Sequence, residues 1–227
     1  MSNIRKGSMH LAISILIGGA STRFGSDKGL FQISGKPLIS YELETLGKLN
    51  YDIFLVAHSK KQVQDYLDKI EIERVMAFIV DDYTLLENKD IKTPLLGLYS
   101  AFKELNELGY EKTFVLPCDT PLIQKNVIEF LVKASRDYDC CIPQWNNRLF
   151  EPLIAIYPIK KAFERSKEIL KANLFKLTNL LDKNWKINYV SIENFIQPLD
   201  PQLLSFLNVN GHSDIEIIKT RFKLSLP

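Results

Sequence analysis

The sequence predicts an α/β fold of three layers, in which helices cover both faces of a mostly parallel central sheet. Three observations lead to this prediction. Apolar runs of strand length alternate with amphipathic runs of helical length from residue 12 to residue 134. The strand-like runs are almost continuously apolar, as expected where a sheet is buried on both faces. A glycine-rich turn follows the first run, at the edge where such sheets bind ligands.

The predicted elements of this first part follow one another as strand and helix. The strands are rich in Ile, Val and Phe, whereas the helices carry apolar residues at three- and four-residue spacing. Pro94 stands in the first turn of a helix, where its missing N–H group is not needed. The predicted strands are 12–18, 52–57, 77–81 and 112–119, and the predicted helices are 37–49, 60–70, 94–105 and 125–134.

The last third of the chain has a different pattern. Two apolar runs, CCIPQW and LFEPLIAIY, flank an Asn-Asn-Arg segment at 146–148, which predicts a hairpin-like turn. A helical run then continues to Leu181, and residues 186–192 predict another strand. The final stretch, LNVNGHSDIEIIKTRF, predicts a strand-to-helix turn and a last helix capped by Ser213 or Asp214.

The composition excludes several classes of protein. The chain has 227 residues, which predicts one domain over 1–227 with residues 1–9 as a flexible tail. Its net charge of +2 argues against a nucleic-acid partner, and no apolar run approaches the ~20 residues of a membrane span. Three cysteines suit a reducing cytoplasm, and the adjacent Cys140 and Cys141 are expected to be buried hydrophobic residues rather than metal ligands.

The segment LIGGASTRFGSDKG, residues 16–29, has the composition of a phosphate-binding loop. Glycines let backbone N–H groups approach anionic oxygens, and Arg23 and Lys28 add positive charge. The spacing is neither that of a Walker A motif nor that of the dinucleotide fingerprint. The sequence therefore predicts a phosphate site of another type after the first strand.

The full pattern is Gly-Gly-x-Ser-x-Arg-x-Gly-x-Asp-Lys, followed by Gly-Lys-Pro-Leu seven residues after Lys28. It resembles the sugar- and cofactor-type nucleotidyltransferases. Three later segments narrow the resemblance: TPLLGL at 93–98, VLPCDTPLI at 115–123 and FLNVNGHSDIE at 206–216. Together these motifs resemble the molybdenum cofactor guanylyltransferase family, over residues 10–220.

This resemblance implies a Rossmann-like nucleotidyltransferase fold of the GT-A type, a reaction and its substrates. GMP would pass from GTP to molybdopterin with release of pyrophosphate, and Mg²⁺ would assist. Transient contacts with molybdenum-insertion proteins and molybdoenzyme chaperones are also implied. Two alternatives stay open at this point. One is another nucleotidyltransferase, either a molybdopterin cytidylyltransferase or a sugar-phosphate enzyme. The other is a non-catalytic carrier that binds nucleotide or molybdopterin.

The family pattern also implies roles for individual residues on the nucleotide side. Lys28 would stabilise charge on the α-phosphate, Arg23 would hold the leaving pyrophosphate, and Asp119 would bind Mg²⁺ at the end of a strand. The implied nucleotide-binding residues are Leu16, Ile17, Gly18, Gly19, Lys28, Asp81, Pro94, Leu95, Gly97 and Asp119. Asp82 follows Asp81 directly, so the sequence leaves open which of the two contacts the nucleoside.

The acceptor side is implied more weakly, and the sequence departs from the family pattern in places. The implied molybdopterin-side residues are Asn208, Asn210, Arg148 and Glu151. The two Asn residues could equally be turn caps. Val56 stands where the family commonly has Asn, and His58 follows two positions later as a substitute or as a plain surface residue. Gly211-His212 replaces Thr-Pro, which alters the start of the following helix.

Overall fold

The computed structural model describes residues 10–18, 27–86, 88, 91–211, 214–218 and 220. Nine strands and five α-helices lie within these residues, together with a helical segment at 214–218. The strands are β1 (Leu11–Leu16), β2 (Gln32–Ile33), β3 (Lys36–Pro37), β4 (Asp52–Ala57), β5 (Val75–Val80), β6 (Lys112–Pro117), β7 (Cys140–Gln144), β8 (Ala155–Pro158) and β9 (Ile187–Ser191). The helices are α1 (Leu38–Leu46), α2 (Lys60–Leu67), α3 (Pro94–Glu107), α4 (Lys125–Ala134) and α5 (Ile159–Lys171).

Seven strands form the central sheet in the order β5-β4-β1-β6-β8-β7-β9. Strand β1 pairs in parallel with β4 and β6, and β4 pairs in parallel with β5. Only β8 runs against its neighbours β6 and β7, whereas β7 and β9 are parallel. The predicted α/β fold with a mostly parallel sheet is confirmed.

Alternating residues of the strands divide the core between the two faces of the sheet. In β1, Ile13 and Ile15 pack in the cluster that contains the apolar faces of α1 and α4. Ala12 and Leu16, on the other face, pack with α3 and α5. This is the predicted three-layer arrangement, and it follows from the two-residue period of a strand buried on both sides. No helix of the described residues is long and apolar enough to cross a membrane.

The last third of the chain agrees with the prediction in outline and differs in detail. Strands β7 and β8 are adjacent and antiparallel, as a hairpin requires. The run LFEPLIAIY, however, contributes only its last three residues to strand β8, because the N–H of Ile154 closes a turn onto the carbonyl of Glu151 at 3.0 Å. The helical run ends at Lys171 rather than Leu181.

Two further local features matter for the site. Strands β2 and β3 form a small hairpin that the sequence analysis missed, with Ser34 and Gly35 at φ values of 52° and 81°. Residues 214–218 are helical, as predicted. Asp214 lies inside this helix and accepts the N–H of Asn210 at 2.7 Å, while Ser213 is outside the described residues.

Candidate active site

The candidate site lies at the carboxyl ends of the parallel strands. Gly18, His58 and Asp81 come directly or almost directly after β1, β4 and β5, and Asp119 follows two residues after β6. Because parallel strands end at one edge of a sheet, the fold collects these residues on one side of the molecule. This is the edge where the sequence predicted a phosphate site.

A lysine and an aspartate form the centre of the site. The Lys28 Nζ atom donates to Asp119 Oδ2 at 2.7 Å and to Asn210 Oδ1 at 3.0 Å. The Lys28 and Asp119 side chains are each only 18% exposed, so both charges are partly shielded from water. The fold thus joins two residues implied for the nucleotide side with one implied for the acceptor side.

The segment around Asn210 is fixed by backbone contacts to the strand-end loop. The N–H of Val209 donates to the carbonyl of Asp119 at 2.9 Å, and the Val209 side chain is fully buried. The Asp214 carboxylate accepts the N–H groups of Asn210 and Gly211 at 2.7 and 2.9 Å. These contacts hold the Asn210 amide beside Lys28.

The start of the Lys28 segment is capped by Asp27. A single 3₁₀ turn runs from Lys28 to Leu30, and the Asp27 Oδ1 atom accepts the N–H of Gly29 at 3.0 Å. The same oxygen accepts the hydroxyl of Tyr66 at 2.5 Å, and Oδ2 accepts the amide of Gln62. Helix α2 therefore contacts the segment that carries Lys28.

A cavity of about 300 Å³ is lined by residues that follow β1, β4 and β5 at this edge of the sheet, and it forms the candidate nucleoside pocket. Its lining residues are Gly18, His58, Asp81, Tyr83, Lys92, Thr93 and Pro94. Burial raises the pKa of the Asp81 carboxyl to about 7. A second cavity of about 600 Å³, between α1 and the connection from α2 to β5, contains none of the predicted site residues.

The two neighbouring aspartates have different surroundings. Asp82 accepts the Lys103 ammonium at 2.8 Å and the N–H of Thr84 at 2.9 Å, whereas Asp81 lines the cavity. The geometry therefore favours Asp81 as the carboxylate available to a ligand. Gly97 of α3 packs against it, since a Cβ atom there would lie 3.5 Å from Asp81 Oδ1.

Several other predicted nucleotide-side residues form hydrogen bonds or core contacts within the protein. The N–H groups of Ile17 and Gly18 both donate to the carbonyl of Val56, at 2.9 and 3.2 Å. The side chains of Leu16 and Leu95 are buried in the core, so Leu95 is not a lining residue of the cavity. Any contact of these residues with a nucleotide stays a prediction.

The departures from the family pattern find local explanations. Val56 is 1% exposed and packs in the core, while His58 lines the cavity and is exposed. Thr93 caps α3, because its hydroxyl accepts the N–H of Leu95 at 3.3 Å. Gly19, Arg23 and His212 lie outside the described residues.

The weaker acceptor-side candidates lie in the connection between β7 and β8. Arg148 occupies an exposed turn with φ of 67°, and Glu151 accepts the Trp145 indole N–H at 2.6 Å. Within residues 10–18, 27–86, 88, 91–211, 214–218 and 220, no hydrogen bond joins Arg148 or Glu151 to Lys28, Asp119 or Asn210. Asn208 is exposed near Asn210. Of these candidates, only Asn210 is brought to the centre.

Three buried polar residues near the site escaped the sequence analysis. Gln62 and Tyr66 were not recognised, because a glutamine and a tyrosine are common on amphipathic helices and nothing else in the sequence marks them as site residues. Glu42 of α1 is fully buried, and burial and the nearby Asp119 charge raise its pKa well above the usual range. Its carboxyl has no hydrogen-bond partner in the described part of the chain, and the nearby Thr120 hydroxyl donates to the carbonyl of Pro117 at 3.1 Å.

The oxygen atoms of Asp119 and Asn210 are the candidate ligands for Mg²⁺ at the centre of the site. The described residues include no group of three or more His, Cys, Asp or Glu side chains that could hold a metal ion. Mg²⁺ in nucleotide enzymes is commonly held by one or two carboxylates together with substrate phosphates. Asp119, flanked by the Asn210 amide oxygen, fits that mode.

Comparison with known proteins gives a family and a fold. Residues 13–182 match the family described as MobA-like NTP transferase domain. A Pyrococcus horikoshii protein named "Probable molybdenum cofactor guanylyltransferase" is 32% identical over 92% of this chain and all of its own length. A Methanosarcina mazei protein of the same name is 29% identical, over 95% of this chain and 92% of its own.

A solved structure has the same architecture. The crystal structure of molybdopterin-guanine dinucleotide biosynthesis protein A from Archaeoglobus fulgidus superposes with a TM-score of 0.75. The match covers 94% of this chain and 99% of that one, at 22% sequence identity. This likeness supports the fold.

Proposed function

The chain belongs to the MobA-like NTP transferase family and is a nucleotidyltransferase, and from that premise we propose that it transfers GMP from GTP to molybdopterin. A phosphate oxygen of molybdopterin would bond to the α-phosphorus of GTP, and the bond from that phosphorus to the β-phosphate oxygen would break. The products are molybdopterin guanine dinucleotide and pyrophosphate. The names of the relatives support this choice of substrates.

The observation that carries the proposal is the contact between Lys28 and Asp119 at the edge of the sheet that also holds the strand-end cavity. A triphosphate whose nucleoside occupies the cavity would extend toward these two residues. Lys28 would then neutralise charge that develops on the α-phosphate, and Arg23 would hold the pyrophosphate. In a reaction of this class, positioning and electrostatic stabilisation supply most of the catalysis.

Asp119 is the residue we propose to hold Mg²⁺. The bound ion would neutralise phosphate charge and polarise the phosphorus–oxygen bonds. Asp119 and Asn210 both accept hydrogen bonds from the Lys28 ammonium. Lys28 must exchange these partners for phosphate oxygens when the nucleotide binds, and Asn210 would then be available to the acceptor.

Guanine selectivity is proposed to depend on Asp81. An ionised carboxylate accepts two hydrogen bonds from N1–H and the 2-amino group of guanine. Adenine offers no such pair of donors and would leave the Asp81 carboxylate without partners, which is costly in a partly buried pocket. Pro94 and Gly97 would shape the wall of the pocket, with His58 at its exposed end.

The test is a panel of GTP, ATP, CTP and UTP with molybdopterin and Mg²⁺, followed by pyrophosphate release and the mass of the product. GTP should bind at least about tenfold more tightly than ATP, which corresponds to about 1.4 kcal/mol. A preference for CTP would make the chain a cytidylyltransferase. Nucleotide binding without pyrophosphate release would indicate a carrier.

The proposed setting is the cytoplasm, where proteins that insert molybdenum and molybdoenzyme chaperones would exchange substrate and product with this chain. The cysteines agree with a reducing compartment, since Cys118, Cys140 and Cys141 are all buried free thiols. The prediction that Cys140 and Cys141 are buried hydrophobic residues is confirmed.

A further inference from the structure

We propose that Gln62 and Tyr66 of α2 are positioning residues, which hold Asp27 and thereby place the Lys28 ammonium for transfer; this inference rests on the function proposed above. Neither residue belongs to the glycine-rich segment or to the cavity. Both are buried, with Tyr66 0% and Gln62 3% exposed. Their polar atoms nevertheless point at the residues on either side of the segment 19–26.

Gln62 uses its whole side-chain amide in this way. Its Nε2 atom donates to the carbonyl of Ile17 at 2.7 Å and to the Asp27 carboxylate. Its Oε1 atom accepts the N–H of His58 at 2.8 Å. One side chain therefore bonds Ile17 near the start of the glycine-rich segment, Asp27 near its end and the backbone of His58, which lines the nucleoside pocket.

Tyr66 holds the other oxygen of Asp27. Its hydroxyl donates to Oδ1 at 2.5 Å, and the same oxygen accepts the N–H of Gly29. Burial raises the pKa of the Tyr66 hydroxyl far above its usual range, so the group remains a donor at any working pH. The turn that carries Lys28 is thus fixed from both sides of one carboxylate.

The placement argues for more than stability. A buried amide and a buried hydroxyl cost desolvation, which an apolar pair at these helix positions would avoid. The bonds they make converge on Asp27, whose peptide neighbour is Lys28. A displacement of about 1 Å in a catalytic group can reduce the rate by about 10²-fold, so a fixed turn has direct value for transfer.

The test uses Tyr66→Phe, which removes one hydroxyl and preserves the ring. Tyr110→Phe is the matched control, because the Tyr110 hydroxyl donates to Asp52 Oδ2 at 2.5 Å at the opposite end of β4. Tyr66→Phe should lower kcat about tenfold with a KM for GTP within about twofold of wild type. Tyr110→Phe should leave both constants unchanged.

A double-variant cycle asks whether the effect passes through Lys28. In a Lys28→Ala background, Tyr66→Phe should lower the residual rate by less than about twofold. The proposal is overturned if Tyr66→Phe retains the kcat of Tyr110→Phe, or if it causes the same loss with and without Lys28.

Hydrogen exchange separates this inference from the proposed function. The N–H groups of Gly29, Leu30 and Phe31 are bonded within the Asp27–Lys28 turn and report on its order. These N–H groups should exchange faster than in wild type in Tyr66→Phe and at the wild-type rate in Tyr110→Phe. This expectation holds whatever the substrates of the enzyme are. Equal exchange in the two variants would refute the positioning role. An inactive wild type with faster exchange in Tyr66→Phe alone would refute only the reaction.

Discussion

At the scale of single residues, the site depends on a pair that lies 91 positions apart in the sequence and 2.7 Å apart in the fold. Asp119 accepts the Lys28 ammonium, and under the proposed function it is the residue that would hold Mg²⁺. Under the proposed function, the negative charge of Asp119 should therefore matter more to the rate than the neutral amide beside it. Its neighbour Asn210 offers Lys28 only a neutral oxygen.

Asp119→Asn should nearly abolish turnover while the protein remains folded. The amide preserves shape and one oxygen but removes the negative charge, which should cost about 10²-fold or more in rate. Steady-state rates across a Mg²⁺ titration measure this. Asp52→Asn, at the other end of the sheet, is the control and should be active. A variant with near wild-type activity at all Mg²⁺ concentrations would remove Asp119 from the metal site.

Asp81 should make stability fall as pH rises. Burial raises the pKa of Asp81 to about 7, so between about pH 4 and 7 the folded protein binds a proton that the unfolded chain has lost. Asp81→Asn should therefore raise the melting temperature of the ligand-free protein at pH 8 and have little effect near pH 4. Partial exposure limits the gain to about 1–2 kcal/mol.

Asp82→Asn is the matched control, with the opposite sign. Although partial burial acts to raise it, hydrogen bonds from Lys103 and Thr84 hold the pKa of Asp82 below its usual value. Its replacement should destabilise the protein at pH 8.

GTP affinity should fall below pH 7 in wild type, because guanine needs the ionised carboxylate of Asp81. Asp81→Asn should lose that pH dependence, and its persistence there would contradict the role of Asp81.

At the scale of elements, the packing of α2 against the Lys28 turn leaves no room for a larger residue. A Cβ atom on Gly29 would lie closer than 3.0 Å to the Tyr66 hydroxyl oxygen. Gly29 is therefore required by this contact rather than by an unusual backbone angle.

Gly29→Ala should destabilise the protein by about 1–3 kcal/mol and displace the turn, with a loss of kcat. Adding Tyr66→Phe removes the clashing oxygen, so the double variant should regain part of the lost melting temperature. Thermal unfolding of the two single variants and the double variant tests this. Additive losses would show that the Tyr66 hydroxyl is not what excludes the side chain.

The elements were predictable where the local pattern decides them. The strands β1, β4 and β6 are almost continuously apolar, and Thr93-Pro94 is a recognisable helix start. The β2–β3 hairpin was missed although Ser34-Gly35 is a turn signal, because its strands have only two residues each. The extent of α5 was overestimated, because Asn173, whose left-handed conformation ends the helix, is a weaker stop signal than glycine and was overlooked.

The site was predictable only in part, for a related reason. Lys28, Asp119 and Asp81 stand next to glycine or at strand ends, which marks them in the sequence. Gln62 and Tyr66 are distinguished only by the residues that they contact. Tyr66 and Asp27 are 39 positions apart in the sequence, and Gln62 and Ile17 are 45 apart, so no local pattern marks them.

At the scale of the whole molecule, the order of the strands could not be read from the sequence. No local sequence pattern indicates that β8, rather than β7, pairs with β6. That choice depends on long-range packing, because all four β8 residues are buried between the two layers. The hairpin prediction required only that β7 and β8 be neighbours, and this is confirmed.

The contacts of Val209 and Asn210 with Asp119 and Lys28 have a consequence for the order in which a working molecule arises. Both residues follow every described strand of the sheet in the sequence, so a ribosome releases the residues of the candidate nucleoside pocket before those that complete the proposed transfer site. A chain that ends at residue 207 should therefore bind GTP and fail to transfer GMP. GTP titration and product analysis of that shortened chain would show whether GTP binding and GMP transfer arise separately. Transfer by the shortened chain would show that Val209 and Asn210 are not needed for it.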